Sequence, residues 1–150
     1  MAERFILRRG FWTRLLDLAK AKTKLHAGIS PGQDNWIGTG AGKSGLAYNY
    51  VIRQHDAHVE LYIDRGKDSE KENERIFDAL AGSKEAIEKD FGSALEWQRL
   101  EGKRACRIRY QIDVGGYRDE AKWTEIHEAM IDGMIRLEKA LRPFVAKLTV

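Results

Sequence analysis

Along this chain apolar residues recur with two different periods, and the changes of period mark the elements. Over residues 4 to 26, Phe5, Trp12, Leu15, Leu16 and Ala19 return at helical spacing while Arg8, Arg9, Arg14 and the stretch Lys20 to Lys24 stay polar, which predicts a first helix. Gly10 weakens its early turns, and Pro31 with Gly32 ends any continuation through the turn-rich run Ala27 to Asn35. From Trp36 to Asp64 the period falls to two. Leu46-Ala-Tyr-Asn-Tyr-Val-Ile and His58-Val-Glu-Leu-Tyr-Ile-Asp are the clearest strands. In the second, Val59, Leu61 and Ile63 share one face and Glu60, Tyr62 and Asp64 the other, as expected of a half-buried strand.

Ser69, with Glu72 three residues on, reads as the capping box of a second helix whose stripe is Ile76, Phe77, Leu80, Ile87 and Phe91 and whose stop is Gly92. Two more strands follow, Leu95 to Leu100 and Arg104 to Asp113, around the turn Glu101-Gly-Lys. In the latter Cys106, Ile108, Tyr110 and Ile112 alternate with Arg107, Arg109 and Gln111. A last helix is expected from Asp119 to about Leu148, with a kink or an end at Pro143.

The order α-βββ-α-ββ-α predicts an α+β fold for residues 1–150 as one domain, with a mostly antiparallel sheet of about five strands covered on one face by three helices. Its other face is then open, displaying Glu60, Tyr62, Asp64, Arg107, Arg109 and Gln98.

Composition supports a packed core, with 43% hydrophobic residues and four Trp in 150 residues. No apolar run reaches membrane-spanning length, the N-terminus resembles no signal peptide, and the single Cys106 forms no internal disulfide. A soluble, cytoplasmic protein is the expectation. Net charge is only +3, but it is unevenly spread. Residues 1 to 30 carry seven basic and two acidic side chains, residues 66 to 92 five and eight, and residues 93 to 118 six and three. Convergence of the two basic segments would attract a polyanion, DNA or RNA.

Motifs add little chemistry. Gly38-Thr-Gly-Ala-Gly-Lys-Ser-Gly resembles a phosphate loop but has Ile37 where the first Gly should stand and leads into a strand, so the glycines are expected to mark a hairpin or close packing. Glu60 is followed by Leu61 and Tyr62, without the lysine of a metal nuclease, so that role would need Arg107 or Arg109. His26, His55, His58 and His127 lack zinc spacing; His55 and His58 read as solvated residues near a turn. No metal site and no cofactor are called for. Cys106 reads as a core residue, as do Trp12, Trp97 and Trp123, while Trp36, Tyr48 and Tyr50 are the aromatics available for stacking.

Several stretches taken together resemble a known family: Phe11-Trp12 with Leu15-Leu16, Gly38 to Gly45 leading into Tyr48-Asn-Tyr, Val59-Glu-Leu-Tyr-Ile-Asp, Phe77-Asp-Ala-Leu, Ile87 to Trp97, and Trp123 with Leu141-Arg-Pro-Phe. They resemble the bacterial and archaeal family called domain of unknown function 4268, over nearly the whole chain. The resemblance implies a module that often follows a restriction-nuclease-like part in longer proteins. The expected function is therefore a non-catalytic accessory module contacting nucleic acid or a nuclease-like partner protein, in genome defence. Arg8, Arg9, Tyr62, Arg107 and Arg109 are its binding residues. Two alternatives stay open: a structural protein that forms a homodimer, and a divergent metal-dependent nuclease using Glu60 and Asp64.

Overall fold

In the computed structural model, which describes residues 2–100 and 104–150, five strands form one antiparallel sheet. They are β1 (Trp36–Gly40), β2 (Leu46–Ile52), β3 (Ala57–Ile63), β4 (Glu96–Gln98) and β5 (Cys106–Ile112), in the spatial order β1-β2-β3-β5-β4. Two successive hairpins build the first three strands. The chain then leaves through α2 (Glu70–Ala81) and α3 (Lys84–Phe91), and β5 returns between β3 and the edge strand β4. α1 (Glu3–Ala19) and α4 (Trp123–Ala146) complete the helical layer.

The alternation read from the sequence sets which side of the sheet the helices cover. Tyr50, Val59 and Tyr110 stand in register, as do Tyr48, Leu61, Ile108 and Trp97, and as do Leu46, Ile63 and Cys106. These rows share one face, and all their strand-centre members except Tyr110 and Trp97 are buried. α4 crosses this face closely because Gly133 has no side chain: a Cβ there would lie 3.3 Å from Val59 Cγ2 and 3.4 Å from Tyr110 Cδ2. α1 packs on α4 through Phe11, whose ring meets Trp12 and Trp123 edge-on with centroids 5.4 Å apart in both cases. The Phe11 carbonyl also accepts a bond of 3.0 Å from His127 Nε2.

The fold class holds, and the helices differ in their ends. α1 stops at Ala19 rather than near residue 26, because Lys20 to Lys24 offer no apolar side chain beyond the small, exposed Ala21; instead Leu25 N donates to Thr23 Oγ1 at 3.2 Å in a local turn. The expected second helix is two helices, broken at Gly82 and Ser83, so the described residues form four α-helices. Ser69 makes no capping bond; Glu72 pairs with Arg65 at 2.7 Å. Asp119 lies before α4 and accepts from Gly116 N at 2.8 Å, and only a short 3-10 turn, Glu120–Lys122, separates it from the helix. Pro143 falls inside α4, near enough to its end at Ala146 that the helix runs on through it. β4 keeps three of its six expected residues. The turn expected at residues 101 to 103 lies outside the described residues.

Candidate functional site

Among the described residues no helix covers the sheet's second face, which is built from the alternate register rows. Asn49, Glu60, Arg109 and Glu96 form one row, Ala47, Tyr62, Arg107 and Gln98 the next, and Val51, His58 and Gln111 a third. On the β1 side, Gly38 stands opposite Asn49 and Gly40 opposite Ala47, while Trp36 stands opposite Val51. Glycines leave that flank low and the indole raises one wall. The result is a concave pocket of about 360 Å³ lined by Trp36, Asn49, Val51, Glu60, Tyr62 and Arg107 among others. Trp36 is 51% exposed, the most solvent-facing aromatic on this side.

Glu60 forms the floor and is 3% exposed. Its Oε1 accepts from His58 Nε2 at 2.9 Å and its Oε2 from Asn49 Nδ2 at 3.0 Å, and Arg107 Nη1 lies 3.6 Å from Oε1. Burial pushes the carboxyl toward its neutral form and is the largest single influence. The hydrogen bonds from His58 and Asn49, with the positive charge of Arg107, outweigh it and hold Glu60 below the usual carboxylate range. The floor is therefore an ionised, buried carboxylate at neutral pH. His58 is itself 3% exposed, and its Nδ1 faces Arg109 Nη1 at 3.5 Å, an arrangement that suits the tautomer with the proton on Nε2.

Each guanidinium on the face is tied to a neighbour on β4. Arg107 Nε donates to Gln98 Oε1, and Arg109 Nε to Glu96 Oε2. The face thus carries both signs side by side, rather than one.

Asn49 explains a glycine. Its Oδ1 lies over Gly38, only 1.9 Å from where a Cβ would stand, so the strand needs glycine there for the amide to reach Glu60. That is the close packing expected of the glycine run, supplied by an amide side chain at Gly38 and by backbone at Gly45, where a Cβ would lie 2.8 Å from Asp64 O. The hairpin loop beyond it is held by Arg65, whose Nη1 donates to Ser44 O at 2.6 Å, and Asp64 N donates to Gly45 O at 2.8 Å. No helix follows it to receive a phosphate.

The structure brings together Glu60, Tyr62, Arg107 and Arg109 among the residues singled out from sequence, and separates the others. Asp64 lies just past β3, where its carboxylate accepts from Arg104 Nε at 2.8 Å and Gly66 N at 3.0 Å instead of turning to the pocket. Arg8 and Arg9 lie on α1 in the helical layer; Arg8 donates to Gln33 O at 3.4 Å and stacks over Tyr117 at 5.2 Å. Tyr48 and Tyr50, read as stacking candidates, are buried on the helix-covered face because β2 pairs on both sides and its alternate residues meet α4; Trp36 alone of that trio is exposed. His58 is likewise buried, while His55 is exposed and reaches Asp119 at 3.1 Å. Cys106 is buried on the covered face, where burial foremost pushes its thiol up to about 11.

Asn49 and His58 escape a sequence reading that looks for charge alone. Their signal is a polar residue at an outward position of a central strand, two residues from another or directly across from it. Among the described residues no three His, Cys, Asp or Glu side chains are placed to hold a metal ion. Among them, too, no helix is long and apolar enough to cross a membrane.

The profile of a family described as "Domain of unknown function (DUF4268)" matches residues 7–145, which takes in every strand, the pocket and nearly all of the helical layer. No curated protein and no solved structure matches the chain. With that match covering almost its whole length, the chain belongs to the DUF4268 family.

Proposed function

We propose that the protein is a non-catalytic binding module that holds single-stranded nucleic acid on its open sheet face, with an unpaired base seated against Trp36. The observation that carries this reading is an exposed indole beside a pocket whose floor joins a carboxylate to a guanidinium. Neither a simple cation nor a simple anion suits such a floor, since one of the two fixed charges would repel it. A planar neutral group with donors and acceptors on one edge suits both. A base in a duplex has that edge occupied, which favours single strands.

The same geometry argues against chemistry at this site. Glu60 is ionised with both oxygens engaged, so it lacks the proton of a general acid. Tyr62 is shifted up by burial first and then by the Asp64 and Glu60 carboxylates, which keeps its hydroxyl protonated. Such a module would supply a nucleic-acid enzyme with strand contact rather than with reacting groups.

Stacking on an aromatic contributes about 1–3 kcal/mol per base. Because Arg107 and Arg109 are already paired, phosphate neutralisation contributes less than the net charge of the sequence suggests. With at most two such contacts, the slope of log K against log salt is expected to be no steeper than about −1.4. Fluorescence anisotropy with a labelled single-stranded oligonucleotide of mixed sequence tests this. Binding at low salt that Trp36→Ala removes, with its thermal midpoint unchanged, is the expected result. No binding at low salt, or binding indifferent to Trp36→Ala, would sink the proposal.

A further inference from the structure

We infer that the pocket selects guanine over the other bases, an inference that rests on the single-strand reading above. Glu60 sits with one bond already made to each oxygen, from His58 at 2.9 Å and from Asn49 at 3.0 Å. A carboxylate has about four lone-pair positions, so each oxygen keeps one acceptor direction free. Arg107 lies beside it, with Nη1 3.6 Å from Oε1 and its Nε engaged by Gln98. Arg107 lines the same pocket, which puts its remaining N–H groups within reach of a ligand that the carboxylate meets. The pocket floor therefore reads acceptor, acceptor, donor across a short span.

Guanine alone among the common bases presents the complement, two neighbouring donors (N1–H and the N2 amino group) followed by an acceptor (O6). Adenine and cytosine offer the carboxylate one donor group, and thymine or uracil a single ring N–H flanked by acceptors. Each of these leaves one buried carboxylate oxygen without the hydrogen bond that water would have given it, and that loss is the basis of discrimination. Trp36 supplies a stacking surface indifferent to base identity, so affinity and selectivity come from different side chains. His58 and Asn49 act as positioning residues, since their bonds fix the plane of the carboxylate before a ligand arrives.

The experiment compares thirteen-residue thymidine oligonucleotides whose central base is guanine, inosine, adenine or cytosine, binding to the full chain by fluorescence anisotropy. A well-made bidentate pair discriminates by about tenfold or more, so the guanine oligonucleotide should bind at least that much tighter than the adenine or cytosine one. Inosine lacks only the N2 amino group and should lose most of the advantage. That arm uses the unaltered protein and does not depend on any variant folding. Glu60→Gln, which replaces one acceptor oxygen by a donor, should bring all four oligonucleotides to similar affinity. Equal affinity of the unaltered protein for all four overturns the guanine assignment and leaves the strand-binding reading standing, whereas no binding to any overturns both. Free guanosine added as competitor separates the sources: weak competition supports recognition within a strand, and competition as strong as the oligonucleotide's overturns the strand as the ligand.

Discussion

Replacing Gly38 by alanine should disturb the pocket floor without touching the hydrophobic core. The new methyl would stand 1.9 Å from Asn49 Oδ1 and 3.0 Å from its Cγ. Gly38 is not among the residues with positive φ, so alanine suits the backbone and the clash with Asn49 is what changes. To relieve it the amide must turn, which breaks the 3.0 Å bond to Glu60. A hydrogen bond to a charged group contributes about 1.5–3 kcal/mol. Exchanging glycine for alanine where the backbone permits returns about 0.4–1 kcal/mol by restricting the unfolded chain. The balance is a loss of about 1–2 kcal/mol, or a fall in Tm of about 2–8 °C for a domain of this size. Urea unfolding followed by tryptophan fluorescence measures it, with Gly40→Ala as the control, since no atom lies within 4 Å of a Cβ at Gly40. The decisive comparison is a double-mutant cycle, because in an Asn49→Ala background the methyl meets no amide and Gly38→Ala should cost nothing further. Equal stability of Gly38→Ala and Gly40→Ala, or an undiminished loss in the Asn49→Ala background, would rule out the Asn49 amide as the source of the effect.

Two further outcomes concern the helical layer and its junction with the sheet. His127 is fully buried against Phe11, and burial foremost, then the charge of Arg14, lowers its pKa from the ordinary 6.5 to about 4. The folded state thus resists protonation, so stability is complete above pH 6.5 and falls by about 3 kcal/mol as the pH drops to 4; urea midpoints between those pH values should move less in His127→Gln than in the unaltered protein. A Cβ at Gly116 would lie 2.1 Å from Arg53 O, so Gly116→Ala should break the bonds Tyr117 N to Arg53 O at 3.0 Å and Arg118 N to Gln54 O at 3.1 Å. At about 1 kcal/mol for each, a loss near 2 kcal/mol is expected, and a thermal midpoint within a degree of the unaltered protein's would contradict that close approach.

Period and spacing carried most of the architecture, because burial acts on side chains one position at a time. Val59, Leu61 and Ile63 could be assigned to one face and Glu60 and Tyr62 to the other without knowing the partners of β3. What spacing cannot carry is register between strands: that Asn49 stands across from Glu60, or that Gly38 stands across from Asn49, depends on where each hairpin turns. Sequence distance hid the helix break as well, since Leu80 and Ile87 lie seven residues apart and keep helical phase across Gly82 and Ser83. Arg8 and Arg9 looked equivalent to Arg107 and Arg109 by charge alone. Only the placement of α1 on α4 assigns them to another layer.

Adjacent residues of β3 belong to opposite sides of the sheet, His58, Glu60 and Tyr62 to the pocket side and Val59, Leu61 and Ile63 to the packed interior. Substitutions can retune what the pocket accepts while the interior stays as it is. A single-residue deletion in that strand has no such freedom, for it would carry the ionised carboxylate inward and three aliphatic side chains out to water in one step. Drift in this segment is thus free in letter and frozen in length.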